Sequence, residues 1–294
     1  METGIINFIQ SISSGFSDVF FAGCTLLSEE TLLIVLIAFL YWCCDKRIGE
    51  CMLLSLYAAN AVNAVLKDII QRDRPFIDET VKDKIRYVEL NGLVNTVDLK
   101  YSYSFPSGHS ANIAVIMTSL CCSVKKVYGK VPLWLKIITP LLIMLVMISR
   151  VYLGVHFPTD VLVGAFIGII SAAVIVALFF KFYDRRLTLF IIVFLVSLSA
   201  LFFDPTADTY KMLGVGFGGI AGMIIERKFI DFSTDVSKGK KALRVIYGAA
   251  FLSVLRLILK LALPSLNVFG FLRYAVIGFC AIAVCPFAFK KFNI

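Results

Sequence analysis

The chain has 294 residues, of which 59% are apolar and only 17% charged, with a mean hydropathy of +0.88. A soluble domain carries about a quarter charged residues, so a water-soluble globular protein is excluded and an integral membrane protein is implied. The net charge of +9 does not point to nucleic acid, because the basic residues collect between apolar blocks.

The first stretch, METGIINFIQ, has neither a basic flank nor a small-residue cleavage site, so no removable signal peptide is expected. Ile5, Phe8, Ile9, Ile12, Phe16, Val19 and Phe20 recur at helical spacing. That pattern predicts an amphipathic segment over residues 1–29 lying in the membrane interface. Apolar stretches follow at 30–44, 48–66, 107–124, 133–151, 159–181, 187–203, 210–226, 244–263 and 268–288. A bilayer core needs roughly 20 apolar residues per helix. The expected fold is all-α, a polytopic bundle of about nine transmembrane helices. Its parts are a six-helix core over 30–203 and a three-helix extension over 204–294. Within the 68–106 loop, IRYVEL and LVNTVDLKYSYSF flank Asn91-Gly92, which predicts a small β-hairpin. The eight cysteines mostly sit inside apolar blocks without histidines at zinc-ligand spacing; they read as small packing residues, and no metal site or cofactor is expected.

Lysines and arginines crowd the loops after the first, third, fifth and seventh stretches, from Lys46-Arg47 to Lys240-Lys241, and the tail holds Lys290 and Lys291. The positive-inside rule then places the C-terminus in the cytoplasm and the N-terminus outside. The hairpin loop and the turn containing His156 also fall on the outer (periplasmic, extracellular or lumenal) face.

Three stretches are polar where the pattern demands apolar residues: KDIIQRDRP, with Lys67, Arg72, Arg74 and Pro75; SFPSGHS, with Pro106, Ser107, Gly108, His109 and Ser110; and SRVYLGVHFPTD, with Ser149, Arg150, His156 and Asp160. All stand at the outer ends of the second to fifth stretches. They suit phosphoryl transfer, which asks mainly for positioning and for neutralising charge on the equatorial oxygens. Lys67, Arg74 and Arg150 supply three cations. Ser107 and Gly108 stand where a helix begins, presenting free N–H groups to an anion. Asp160, four residues after His156, can fix the imidazole tautomer and free the other ring nitrogen as a nucleophile. His109, beside the cradle, can give a proton to a departing oxygen.

Taken together, Lys67-x6-Arg74-Pro75, Pro106-Ser107-Gly108-His109 and Ser149-Arg150-x5-His156-x3-Asp160 resemble the three-part signature of type-2 phosphatidic acid phosphatases, over about residues 30–180. The resemblance implies a metal-independent phosphatase working through a phosphohistidine. It makes His156 the nucleophile, Asp160 its partner and His109 the acid and later the base. Lys67, Arg74, Ser107, Gly108, His109 and Arg150 hold the phosphate. The last hundred residues lie outside the signature.

Each residue alone has a plainer reading. Arg74-Pro75 ends a helix at the interface, Pro106-Ser107-Gly108 is a turn and cap, and Asp160 complements a helix dipole. Coincidence would have to place both histidines of the chain in one phosphate-binding pattern. Arg72, Glu29 and Glu30 read as solvated or boundary residues. Arg256 and Lys260, four apart, and Arg273 form a candidate lipid-headgroup contact; snorkelling to lipid phosphates is the plainer alternative. The expected partners are membrane lipids and a phosphorylated lipid substrate, not nucleic acid. The reading is hydrolysis of a lipid phosphate or isoprenoid diphosphate at the outer face. The alternatives are a sugar-phosphate phosphatase, a lipid phosphotransferase, a vanadium-dependent oxidase using the same cradle, and a membrane transporter.

Overall fold

A computed structural model describes residues 1–88, 102–203 and 206–294, with backbone alone for Glu30 and Thr31. The helices in chain order are α1 (Glu2–Gln10), α2 (Gly15–Leu26), α3 (Glu30–Cys43), α4 (Lys46–Ile70), α5 (Gly108–Tyr128), α6 (Leu133–Tyr152), α7 (Pro158–Lys181), α8 (Arg186–Ser197), α9 (Ala200–Phe203), α10 (Ala207–Ile225), α11 (Lys238–Ala262), α12 (Asn267–Phe279) and α13 (Cys285–Lys291). Among the described residues there is no strand. The hairpin expected around Asn91-Gly92 lies outside the described residues.

Each of the nine expected stretches is helical, but six helical segments are long and apolar enough to cross a membrane: 46–70, 133–152, 158–181, 183–203, 238–262 and 267–291. At 14 residues, α3 is short. At 21 and 19 residues α5 and α10 are long enough but fall outside these six. The polarity of α5 is inward: Ser110, Asn112, Ser119 and Ser123 are all buried. Polar side chains at membrane depth face protein rather than lipid.

The chain divides into two compact units, Met1–Leu33 with Val62–Val176, and Ile34–Ala61 with Ala177–Ile294. In the first unit, Ile113, Met117, Leu135, Ile143, Val146 and Ala165 bring α5, α6 and α7 into one apolar core. The N-terminal segment is two helices rather than one, because Ser14 starts a new helix: its side chain accepts from Ser17 N and Ser17 returns the bond. Ile5, Phe8, Ile12, Phe16, Val19 and Phe20 form an exposed stripe, as their spacing predicts. The opposite face is equally specific. Ile6 and Phe21 are buried against residues of the α6–α7 turn, and Gln10 Nε2 donates to Tyr152 O at 2.8 Å and to Arg86 O at 2.6 Å.

Close approach of α5 and α7 depends on two glycines. A Cβ on Gly164 would collide with the Ser107 carbonyl oxygen, and one on Gly168 with that of Ala111. Small residues four apart let helix backbones touch without a hydrophobic driving force.

In the second unit, Gly214, Gly218 and Gly222 on α10 lie against Phe271, Ala275 and Ile282 in the same way. Two buried carboxylates there are paired, Glu50 with Arg186 Nε at 2.8 Å and Glu226 with Lys46 Nζ at 2.6 Å.

Candidate active site

The cradle starts at the N-terminus of α5. Ser107 is its N-cap, accepting from Ser110 N at 3.4 Å and from Ser110 Oγ at 3.1 Å. Its own N–H donates to Asp160 O at 3.0 Å, so the loop is pinned to the first turn of α7. At Gly108 the fold does not demand glycine, since an added Cβ would meet only Asn63 Nδ2, at an ordinary 3.5 Å. What glycine provides there is an uncovered backbone at the positive end of a helix.

His156 sits in the turn between α6 and α7. Gly154, at φ +71°, makes that turn, and Val88 N–H holds it by donating to Leu153 O at 3.2 Å. The imidazole is 1% exposed. Its Nε2 is 3.2 Å from Arg74 Nη1. A guanidinium can only donate, so Nε2 carries the lone pair and the ring proton is on Nδ1. Nδ1 then faces Ser104 Oγ at 3.3 Å, and Ser104 Oγ donates to Asp160 Oδ2 at 2.5 Å. Asp160 itself is 3.6 Å from Nδ1, beyond hydrogen-bond range. The expected histidine–aspartate pair is therefore bridged by a serine hydroxyl. Asp160 is fully buried and held by two further donors, Phe157 N at 2.8 Å and Arg72 Nη1 at 2.8 Å.

The cations converge on this ring. Arg74 is clamped by Ser102 O at 2.9 Å, Ser102 Oγ at 2.8 Å and Val155 O at 3.1 Å. Burial lowers its pKa to about 10, partly offset by Asp160, so it stays charged at neutral pH. Arg150, 1% exposed, donates from Nη1 to Thr25 Oγ1 at 3.0 Å. Its Nε and Nη2 have no hydrogen-bond partner among the described residues. Lys67 stands in the last turn of α4. Burial, then the charges of Arg74, Arg150, Lys67 and His109, hold His156 well below the ordinary imidazole range. The ring is therefore neutral, and its lone pair is available.

His109 follows Gly108 in the first turn of α5, with Nε2 3.1 Å from Glu29 Oε1. Several residues around the site carry no motif signal. Glu29 reads as a span boundary in the sequence, and Thr25 as an ordinary helix residue. Ser104 opens SFPSGHS but lies ahead of its recognisable part. Arg72 reads as a solvated neighbour; here it joins Asp160 to Thr159 Oγ1 at 2.7 Å and Glu2 Oε2 at 2.5 Å, and its guanidinium lies 3.8 Å from the Phe157 ring centre. Glu2 also accepts from Thr159 N and Oγ1. Arg256 and Lys260 are exposed on α11. Arg273, on α12, reaches Leu263 O and Pro264 O at 3.4 Å each and keeps a buried Nε without a partner among the described residues.

Fold and site together define an integral membrane protein in which His156 is buried beside Arg74 and joined through Ser104 to Asp160. Residues 50–184 match the PAP2 superfamily, and residues 210–294 match the transmembrane extension of PAP2 superfamily phosphatases. The chain belongs to the PAP2 superfamily. It is 36% identical to phosphatidylglycerophosphatase B of Bacillus subtilis, over 42% of this chain and 53% of that protein. It is 26% identical to the lipid A 4'-phosphatase of Bacteroides thetaiotaomicron, over 57% and 72%. With the undecaprenyl-diphosphatase of Sulfolobus acidocaldarius it shares 29% identity over 42% and 51%. The chain thus spans about half the length of the first and third of these relatives.

Proposed function

We propose that this protein is a membrane phosphatase that removes phosphate from a phosphorylated lipid, a monoester or an isoprenoid diphosphate, at the outer face of the membrane. The observation that carries the reading is Arg150. A fully buried guanidinium with two nitrogens that have no partner among the described residues is costly. A tetrahedral oxyanion beside the neutral His156 ring is the partner that would satisfy both nitrogens through one edge of the planar fork. The lipid class is supported by the three relatives, a phosphatidylglycerophosphatase, a lipid A phosphatase and an undecaprenyl-diphosphatase. The outer face is supported by the basic loops on the opposite side, with α3, α5 and α10 read as spans to give nine.

In this mechanism Arg74 Nη1 leaves His156 Nε2 and turns to the phosphate, with Lys67, Arg150, the Ser107 hydroxyl and the N–H of Gly108; the Ser107 N–H, expected from the sequence to be free, is held by Asp160 O. The freed Nε2 lone pair forms a P–N bond as the bond from phosphorus to the leaving oxygen breaks. His109, as imidazolium, gives that oxygen its proton. Nδ1–H stays on His156, its developing charge stabilised through Ser104 by Asp160. Neutral His109 then takes a proton from water, the water oxygen bonds phosphorus, and the P–N bond breaks to return the lone pair to Nε2. The ring of protein cations supplies the neutralising charge, so no metal is required. Arg256, Lys260 and Arg273 are read as a lipid-phosphate contact of the second unit; replacing all three with glutamine is expected to raise KM, and an unchanged KM would remove that role.

The test is phosphate release by the detergent-purified full chain from phosphatidylglycerophosphate, phosphatidic acid, undecaprenyl diphosphate and glucose 6-phosphate, with a chelator present. The reading expects release from at least one lipid and near-complete loss in His156→Ala. Release unaffected by His156→Ala, or from the sugar phosphate alone, would overturn it. Isotope-labelled water separates hydrolysis, which labels the phosphate, from transfer to a second lipid, which does not.

A further inference from the structure

The family match begins at residue 50, yet three side chains from ahead of that point reach the site. Glu2 accepts from Arg72, which holds Asp160. Thr25 accepts from Arg150 Nη1. Glu29 lies 3.1 Å from His109 Nε2. Thr25 and Glu29 are one helical turn apart and share a face. Ser28 Oγ donates to Thr25 O at 2.8 Å and Glu29 N to Leu26 O at 3.1 Å, so the turn continues past the end of α2. The side chain of Thr25 also meets Ser149 Oγ at 3.3 Å, fixing this turn against α6.

We propose that Glu29 is a positioning residue for the acid histidine: it holds His109 Nε2 and opposes the guanidinium charges that bear on the same ring. The proposal rests on the phosphatase reading and deepens it. Burial bears most on a proton at His109, and among the described residues the charged groups acting with it are the cations Arg150 and Arg74 and the anion Glu29; His156, also within range of the ring, is neutral. Without the carboxylate, a proton on the buried His109 would face two arginines with no anion among the described residues to offset them, and an acid that cannot hold its proton cannot deliver it. Glu29 is ionised for the same reason, its pKa lowered chiefly by the hydrogen bond from His109, with Arg150 adding to the effect. A carboxylate accepts only, so the bond also fixes Nε2 as the protonated nitrogen.

The rival reading is a surface ion pair of little consequence, since the Glu29 side chain is 48% exposed. The two separate cleanly because the chain has only two histidines. Imidazole signals of ring-labelled full-length protein in nanodiscs can be followed by NMR against pH and assigned with His109→Asn. In Glu29→Gln the titration midpoint of His109 is expected to fall by about one unit or more. The His156 signal is expected to stay in place, and Glu29→Asp to recover part of the shift. Turnover in Glu29→Gln is expected to fall about tenfold or more with KM little changed. An unmoved His109 midpoint in Glu29→Gln would overturn the proposal whatever the activity. A midpoint that moves in a protein releasing phosphate from no lipid would instead uphold the pairing and overturn the phosphatase reading.

Discussion

Replacing Ser104 with alanine removes the hydroxyl that joins His156 to Asp160. Ser104 is fully buried, and its Oγ is both 3.3 Å from Nδ1 and 2.5 Å from Asp160 Oδ2. In Ser104→Ala the Nδ1–H loses its acceptor. A buried donor left unsatisfied costs about 1–3 kcal/mol, more when it becomes charged, as Nδ1 does while the P–N bond forms. Asp160 could limit the loss by closing the 3.6 Å gap to Nδ1, but Phe157 N and Arg72 hold it in place. A loss of about 2 kcal/mol follows, or roughly 30-fold in the rate of phosphoenzyme formation. Rapid-quench measurement of the first turnover reads that step directly. The two partners act in series, so Ser104→Ala added to Asp160→Asn is expected to slow the reaction little beyond Asp160→Asn alone. A Ser104→Ala enzyme within twofold of wild type, with Asp160→Asn strongly impaired, would show that aspartate reaches the ring unaided and that the bridge is incidental.

Other consequences concern stability and pH. Arg150→Met removes a buried cation whose Nε and Nη2 have no partner among the described residues while keeping much of its volume, so Tm is expected to rise by about 2 °C or more as vanadate affinity falls more than ~100-fold; calorimetry with and without vanadate reads both. Gly164→Ala drives a methyl into the Ser107 carbonyl, and chemical unfolding should show a loss of about 1–3 kcal/mol together with reduced turnover. Because His156 resists protonation when folded, the unfolded chain binds a proton that the native ring refuses. Its contribution to stability is therefore complete above the ordinary imidazole pKa, about 6.5, and is lost progressively as pH falls below that value. His156→Asn is expected to flatten that acid-side slope in pH-dependent melting. The phosphoenzyme burst should likewise persist below pH 6.5, since the nucleophile stays neutral there.

The helical architecture was legible in the sequence because it depends on local pattern. Blocks of apolar residues predict helices, and Pro106-Ser107-Gly108 and Pro158 mark where two of them start. Arg74, Ser107, His156 and Asp160 then meet through hydrogen bonds in the structure. Long-range polar partners were not legible. Ser104, Glu29 and Arg72 are ordinary residues whose roles come from elements 56, 80 and 88 residues away in the chain, and no local periodicity encodes such a meeting. The N-terminal segment shows the same limit. Its apolar spacing predicts one interfacial helix, but the serine cap at Ser14 divides it, and Ile6 and Gln10, on the opposite face, dock it onto the site.

The central claim is that His156 Nε2 takes the phosphoryl group. Acid-labile, base-stable label from 32P-lipid, trapped by rapid quench and located by mass spectrometry, tests it most directly. The account expects label on Nε2 of His156, absent in His156→Ala; turnover with label on His109, or with no protein-bound phosphate at any time, would contradict it.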